Sequence, residues 1–174
     1  MKKKQILAKL MLVLALLTVM SLPSAAQTRV GPSGLKLPRF VSLKSDRVNV
    51  RAGPSTDHKV LWIFRRAGLP VEIIEESDNW RKIRDSEGEM GWVYHSLLSG
   101  RRTALISPWQ RAGTIVPLLR EPRENTPTTA KAQIGVQVDV NECANEWCDV
   151  GVQGYEGWIK SNLLWGVYPK EDIE

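Results

Sequence analysis

The chain has 174 residues, of which 24 are Lys or Arg, 19 are Asp or Glu and two are Cys, for a formal charge of +5. That length accommodates one medium domain or two small ones and excludes a TIM barrel or a two-lobed enzyme. A charged fraction of 25% beside a hydrophobic fraction of 43% excludes a disordered chain, while the basic balance raises nucleic acid as a partner until the charges are placed.

Lys2, Lys3, Lys4 and Lys9 open the chain, a largely apolar run of 13 residues follows from Leu10 to Leu22, and Pro23 ends it. Ser24 and Ala26 put small residues where a cleavage site needs them, so 1–26 reads as a secretory signal peptide. The run is shorter than the roughly 20 residues of a spanning helix, and no Cys near the cleavage site could carry a lipid. No stable membrane anchor is therefore expected after cleavage, and the mature protein is expected in the periplasm or secreted. Residues 1–26 hold four Lys and no acid, so the remainder carries 20 basic and 19 acidic residues. That near-neutrality disfavours nucleic acid as a partner.

A lead segment, 27–39, contains Gly31, Pro32 and Pro38. Short strands are then expected at Val48–Val50, Val60–Phe64, Leu69–Glu75, Trp80–Arg84 and Met90–Tyr94. Turns marked by Gly53-Pro54, Ala67-Gly68, Ser77-Asp78-Asn79 and Ser86-Glu87-Gly88 separate them. No amphipathic helix is evident. The pattern then recurs. Gly91-Trp92-Val93 and Leu97-Leu98-Ser99-Gly100 match Gly157-Trp158-Ile159 and Leu163-Leu164-Trp165-Gly166. Trp80-Arg81-Lys82-Ile83 matches Trp147-Cys148-Asp149-Val150, and Leu69-Pro70-Val71 parallels Ile134-Gly135-Val136. The repeat sets two units, 40–100 and 114–168, joined by a linker, 101–113, and followed by a tail, 169–174. The second unit is acidic, with four basic and seven acidic residues, and its opening, Pro117 to Ala132, has diverged.

These residues resemble the bacterial SH3-like (SH3b) family. Asn49-Val50-Arg51-Ala52-Gly53-Pro54-Ser55, Asn79-Trp80-Arg81-Lys82-Ile83 and Gly91-Trp92-Val93 carry the resemblance in the first unit. The second keeps the pieces at Trp147 and Trp158 but has Leu118-Leu119-Arg120-Glu121-Pro122 at its opening. The pair is similar to secreted double-SH3 proteins of proteobacteria. The resemblance implies an all-β protein of two tandem, partly open barrels of five or six strands. It implies a non-catalytic binding or targeting role toward a cell-wall peptide or an envelope protein. The alternatives are an accessory or cryptic cell-wall hydrolase and an inhibitor or regulatory partner of an envelope enzyme.

Cys143 and Cys148 lie on either side of a hairpin turn, and in an exported protein such a pair is expected as a disulfide. The first unit has Ser77 and Arg81 at the nearest positions. A thiol nucleophile would need a His base in reach, and neither His58 nor His95 lies in a motif that supplies one. Two Cys and two scattered His lack zinc-ligand spacing. No catalytic residue, metal ligand or cofactor site is expected.

The seven Trp are the most informative side chains left. Strand neighbours alternate in direction, so Ile83 and Val93 inward would place Trp80 and Trp92 on or near the surface, with Trp147 and Trp158 their counterparts. Two readings stand: these rings cap the barrels and pack between the copies, or they form an aromatic groove for a peptide or sugar. Trp109 is expected between the units and Trp165 at the close of the second barrel. The loop from Arg51 to His58 is the other candidate surface. The resemblance implies that this loop borders a groove, which Arg51, Asp57 and His58 would line beside Trp80 and Tyr94; otherwise Arg51 serves in a salt bridge and Asp57 in a turn.

Overall fold

The structure is a computed structural model and describes residues 29–173. The expected signal peptide, 1–26, lies outside the described residues. Sixteen strands follow one another: β1 (Arg29–Val30), β2 (Lys36–Leu37), β3 (Arg39–Leu43), β4 (Val48–Arg51), β5 (Val60–Phe64), β6 (Pro70–Ser77), β7 (Trp80–Arg84), β8 (Met90–Tyr94), β9 (Leu98–Ser99), β10 (Thr103–Ile106), β11 (Ile115–Leu119), β12 (Thr128–Gln133), β13 (Gln137–Ala144), β14 (Trp147–Val152), β15 (Tyr155–Lys160) and β16 (Leu164–Trp165). The helical turns among the described residues are two short 3-10 segments, His95–Leu97 and Ser161–Leu163.

Alternation of side chains builds the barrels. In β4, Val48 and Val50 are buried while Asn49 and Arg51 turn outward. With Leu43, Val71, Ile73, Ile83 and Val93 they form the first core. Leu118, Val138, Val140, Val150 and Ile159 do the same in the second. The first sheet runs β5–β4–β8–β7–β6–β3–β9 and the second β12–β11–β15–β14–β13–β10–β16. Each has seven strands where five or six were implied, because a two-residue strand after each 3-10 turn closes the sheet. Such strands are too short to show a period.

The duplication extends to irregularities. The β4–β5 pair bulges between Val50 and Arg51, and β11–β12 between Leu118 and Leu119. The β6–β7 pair bulges between Ile73 and Glu75, and β13–β14 between Val140 and Glu142. Gly91 and Gly157 are required by close packing. A Cβ at Gly91 would stand 2.4 Å from Val50 Cγ1, and one at Gly157 2.5 Å from Thr129 Oγ1 and 3.0 Å from the Leu119 carbonyl.

Pairing registers correct several expectations. Pro70 pairs with Ser42 as Gln137 pairs with Leu105, so Val71 corresponds to Val138 and not to Val136. Glu76, not Ser77, corresponds to Cys143, since Glu76 faces Arg81 as Cys143 faces Cys148. The diverged opening of the second unit forms two strands, β11 and β12. The linker 101–113 contains β10, a fully buried strand of the second sheet. In the lead 27–39, β1 and β2 form a hairpin whose Leu37 joins the first core. Within the expected tail, Ile173 reaches back and exchanges two backbone hydrogen bonds with Cys143 at 3.0 Å.

The two barrels touch. Phe40 meets Trp165 edge-on at 5.2 Å and Tyr168 at 4.8 Å. Thr103 Oγ1 donates to the Gly68 carbonyl at 2.7 Å, and Tyr168 Oη donates to Glu72 Oε1 at 2.8 Å. Trp165 therefore packs between the barrels. Trp109, expected there, is 57% exposed, because the turn begun at Ser107 carries it outward.

Candidate functional site

The outer face of the first barrel holds a cleft of about 290 Å³ lined by Asn49, Arg51, Thr56, Trp80, Tyr94 and Leu97. Strand parity explains its composition. Ile83 and Val93 point inward and are fully buried, so Trp80 on β7 and Tyr94 on β8 point outward. They are cross-strand partners, and their rings meet edge-on at 5.4 Å. Asn49 and Arg51 are the outward members of β4.

The loop after β4 supplies the far wall. Arg51 Nη1 donates to the carbonyls of Thr56 at 2.9 Å and His58 at 2.7 Å, which folds the loop back over its own strand. The His58 imidazole lies against Gly53, where a Cβ would stand 2.4 Å from Nε2. A larger residue at 53 would therefore displace His58. With one Arg51 nitrogen engaged, the remaining guanidinium donors have no partner among the described residues. The Asn49 Oδ1 acceptor is likewise buried without a partner. The cleft thus joins an aromatic wall to unsatisfied donors and an acceptor, which suits a polar ligand with a carboxylate or amide.

Of the residues singled out by sequence, the structure brings Arg51, Trp80 and Tyr94 together. Asp57 does not join them: its carboxylate accepts from Ser55 Oγ at 3.1 Å and its N–H donates to the same oxygen at 2.9 Å, a closed surface turn. Trp92 is buried rather than superficial. Its strand partners are Arg51 and Lys82, and the Lys82 ammonium sits 5.9 Å from the ring centre, so long flanking side chains cover it. Asn49, Thr56 and Leu97 were missed. Asn49 and Thr56 are near Arg51 through strand alternation and the folded-back loop, and closure of the barrel brings them to Trp80 and Tyr94.

The second barrel carries different side chains in the same place. Trp147 replaces Trp80 and Lys160 replaces Tyr94, as their strand pairing shows. The loops have equal length, so Glu124 stands where Thr56 does and Leu119 where Arg51 does. Lys160 pairs with Glu124 and lies 5.6 Å over the Trp147 ring. The hydrogen bond from Lys160, with its charge, lowers the Glu124 carboxyl below its ordinary value. Trp158 is half-buried in β15, where it pairs with Leu119 and Asp149.

The barrels differ again at one core position. Cys143 and Cys148 are joined in a disulfide inside the second core. The corresponding pair in the first is the ion pair of Arg81 Nε and Glu76 Oε1 at 3.2 Å. Glu76 also accepts from Arg39 at 2.7 Å and from the Ser33 N–H and Oγ at 2.9 and 2.8 Å. Burial alone would raise this carboxyl. The hydrogen bonds from the Ser33 N–H, Arg39 and Ser33 Oγ, with the Arg39 charge, outweigh burial and hold it at about 2.

Two consecutive small barrels with duplicated bulges define a tandem-repeat β-barrel protein. The family model "Bacterial SH3 domain" matches residues 44–100 and 112–166, and the chain belongs to that family, in two copies. No curated protein matches the chain. Solved structures of NlpC2 and NlpC1 from Trichomonas vaginalis are 13% and 14% identical, with TM-scores of 0.33 and 0.34. The matches cover 74% and 80% of this chain and 48% and 49% of theirs. An NlpC/P60 family protein from Bacillus cereus is 12% identical with a TM-score of 0.31, over 72% of this chain and 55% of that one. The chain spans about half the length of these structures.

Proposed function

We propose that the protein is an exported, non-catalytic binding module whose first barrel recognises a cell-wall peptide or a peptide of an envelope protein. The observation that carries this reading is the cleft of Arg51, Trp80 and Tyr94, whose counterpart positions in the second barrel hold the Lys160–Glu124 ion pair over Trp147. In the first barrel the free Arg51 donors receive a ligand carboxylate, and the aromatic pair takes an aliphatic side chain. In the second, Lys160 and Glu124 satisfy each other over Trp147, which leaves that barrel as a support. The disulfide engages both thiols, which supports a binding rather than a thiol-hydrolase role, and it fits an oxidising compartment.

Retention on purified sacculi tests the proposal. Wild-type protein is expected to sediment with sacculi at moderate salt. Trp80→Ala is expected to lose retention several-fold while Trp147→Ala retains it. Equal loss from both variants would refute the assignment to the first barrel, and no retention of folded wild-type protein would move the ligand to an envelope protein.

A further inference from the structure

Strand β5 is an outer strand of the first sheet, and among the described residues it pairs with β4 alone. An outer strand leaves alternate N–H and C=O groups unpaired, and folds guard it with polar or charged side chains. The duplicate strand β12 follows that rule: Thr128, Thr129, Lys131 and Gln133 are exposed, while Ala130 and Ala132 meet the core. In the same place β5 carries Val60-Leu61-Trp62-Ile63-Phe64. Trp62 and Phe64 pack against the core, but Val60 and Leu61 are 40% and 43% exposed and Ile63 is half-exposed. The second barrel closes with a polar strand here, so the fold itself does not require these apolar side chains. Cations bracket the strand. Lys59 precedes it and Arg65 and Arg66 follow, all exposed and all without an ion-pair partner among the described residues.

We propose that β5 is a docking edge for an extended segment of another protein, apolar at its centre and acidic at both ends, which adds to the sheet as a further strand. A second copy of this chain does not fit. Antiparallel pairing of β5 with itself about Trp62 sets Lys59 against Arg65, like charge against like. No residue of β5 lines the Arg51–Trp80–Tyr94 cleft, so this surface stands independently of the ligand assigned there.

Full-length protein and two synthetic peptides test the proposal. Both peptides alternate Val and Thr at the centre; one is flanked by Glu pairs and the other by Lys pairs. Binding is read by anisotropy of the labelled peptide, and its place by hydrogen exchange of the β5 amides. The Glu-flanked peptide is expected to bind and to slow exchange in 60–64. The Lys-flanked peptide is expected to bind about ten-fold more weakly at low salt. The variant K59E/R65E/R66E changes only exposed positions and is expected to invert the preference, which a folding defect would not do. Equal binding of the two peptides, binding of neither, or binding without protection of β5 overturns the proposal. A dimer whose β5 amides are protected without peptide overturns it too, in favour of self-association.

Discussion

Substituting Glu76 by Gln tests what secures the N-terminal hairpin. The Glu76 side chain is 1% exposed and faces Arg39 and Arg81, themselves only 19% and 13% exposed. Its carboxyl is lowered from the ordinary 4.5 to about 2. A shift of that size corresponds to about 3 kcal/mol of folded-state stabilisation of the ionised form. The folded-state value is depressed, so this stability is fully present above the unfolded value and is lost as pH falls through about 2. At pH 3 about 1.4 kcal/mol of it remains. Gln removes the charge and leaves both guanidiniums without a counter-charge. Urea unfolding of wild type and E76Q at pH 7 and pH 3 measures the difference. The gap is expected at about 3 kcal/mol at pH 7 and about half that at pH 3. A gap that does not change with pH would show that packing, not charge, holds the site, and would refute the reasoning. The hairpin supplies the Ser33 donors, so E76Q should also become more susceptible to proteolysis around Lys36.

The disulfide closes a short ring, and C143A/C148A is expected to cost about 2 kcal/mol in non-reducing denaturation, with intact mass confirming two fewer hydrogens in the wild type. E76C/R81C places the second barrel's pair into the first, and a thiol titration of the oxidised variant is expected to find no free cysteine. Tyr168→Phe removes the hydrogen bond to buried Glu72 and should cost about 1–2 kcal/mol. Burial, then the Glu72 hydrogen bond, raises the Tyr168 phenol above its ordinary value of about 10. Its stabilisation is therefore full below that pH and fades above it, and Y168F should flatten the alkaline limb of the stability profile. Phe40→Ala removes the ring between Trp165 and Tyr168 and is expected to split a single calorimetric transition into two; two transitions already in the wild type would refute coupling of the barrels.

Much of the fold was legible in the residues. The strands at Val48, Val60, Trp80 and Met90 and the duplication behind Trp147 and Trp158 follow from side-chain alternation and turn chemistry. Both are properties of near neighbours in the chain, so no tertiary information is needed to read them. The same parity placed Trp80 outward correctly, yet it failed for Trp92, which points outward and is buried all the same. Exposure depends on what lies on the adjacent strands, and there Lys82 and Arg51 cover the ring.

What tertiary structure decided concerns the ends and outer faces of the barrels. Nothing near Glu76 in sequence announces a buried carboxylate; Ser33 and Arg39 arrive from about 40 residues upstream and donate hydrogen bonds to it. Nothing near Cys143 announces that Ile173 will extend its strand. The duplicated Trp made the two copies look alike as binding surfaces. Only closure of each barrel set Arg51 and Thr56 beside Trp80 in one, and Glu124 beside Lys160 over Trp147 in the other. A local pattern determines which way a side chain points. Which groups meet it there depends on chain segments brought in from far along the sequence, and that is why the two duplicated faces differ.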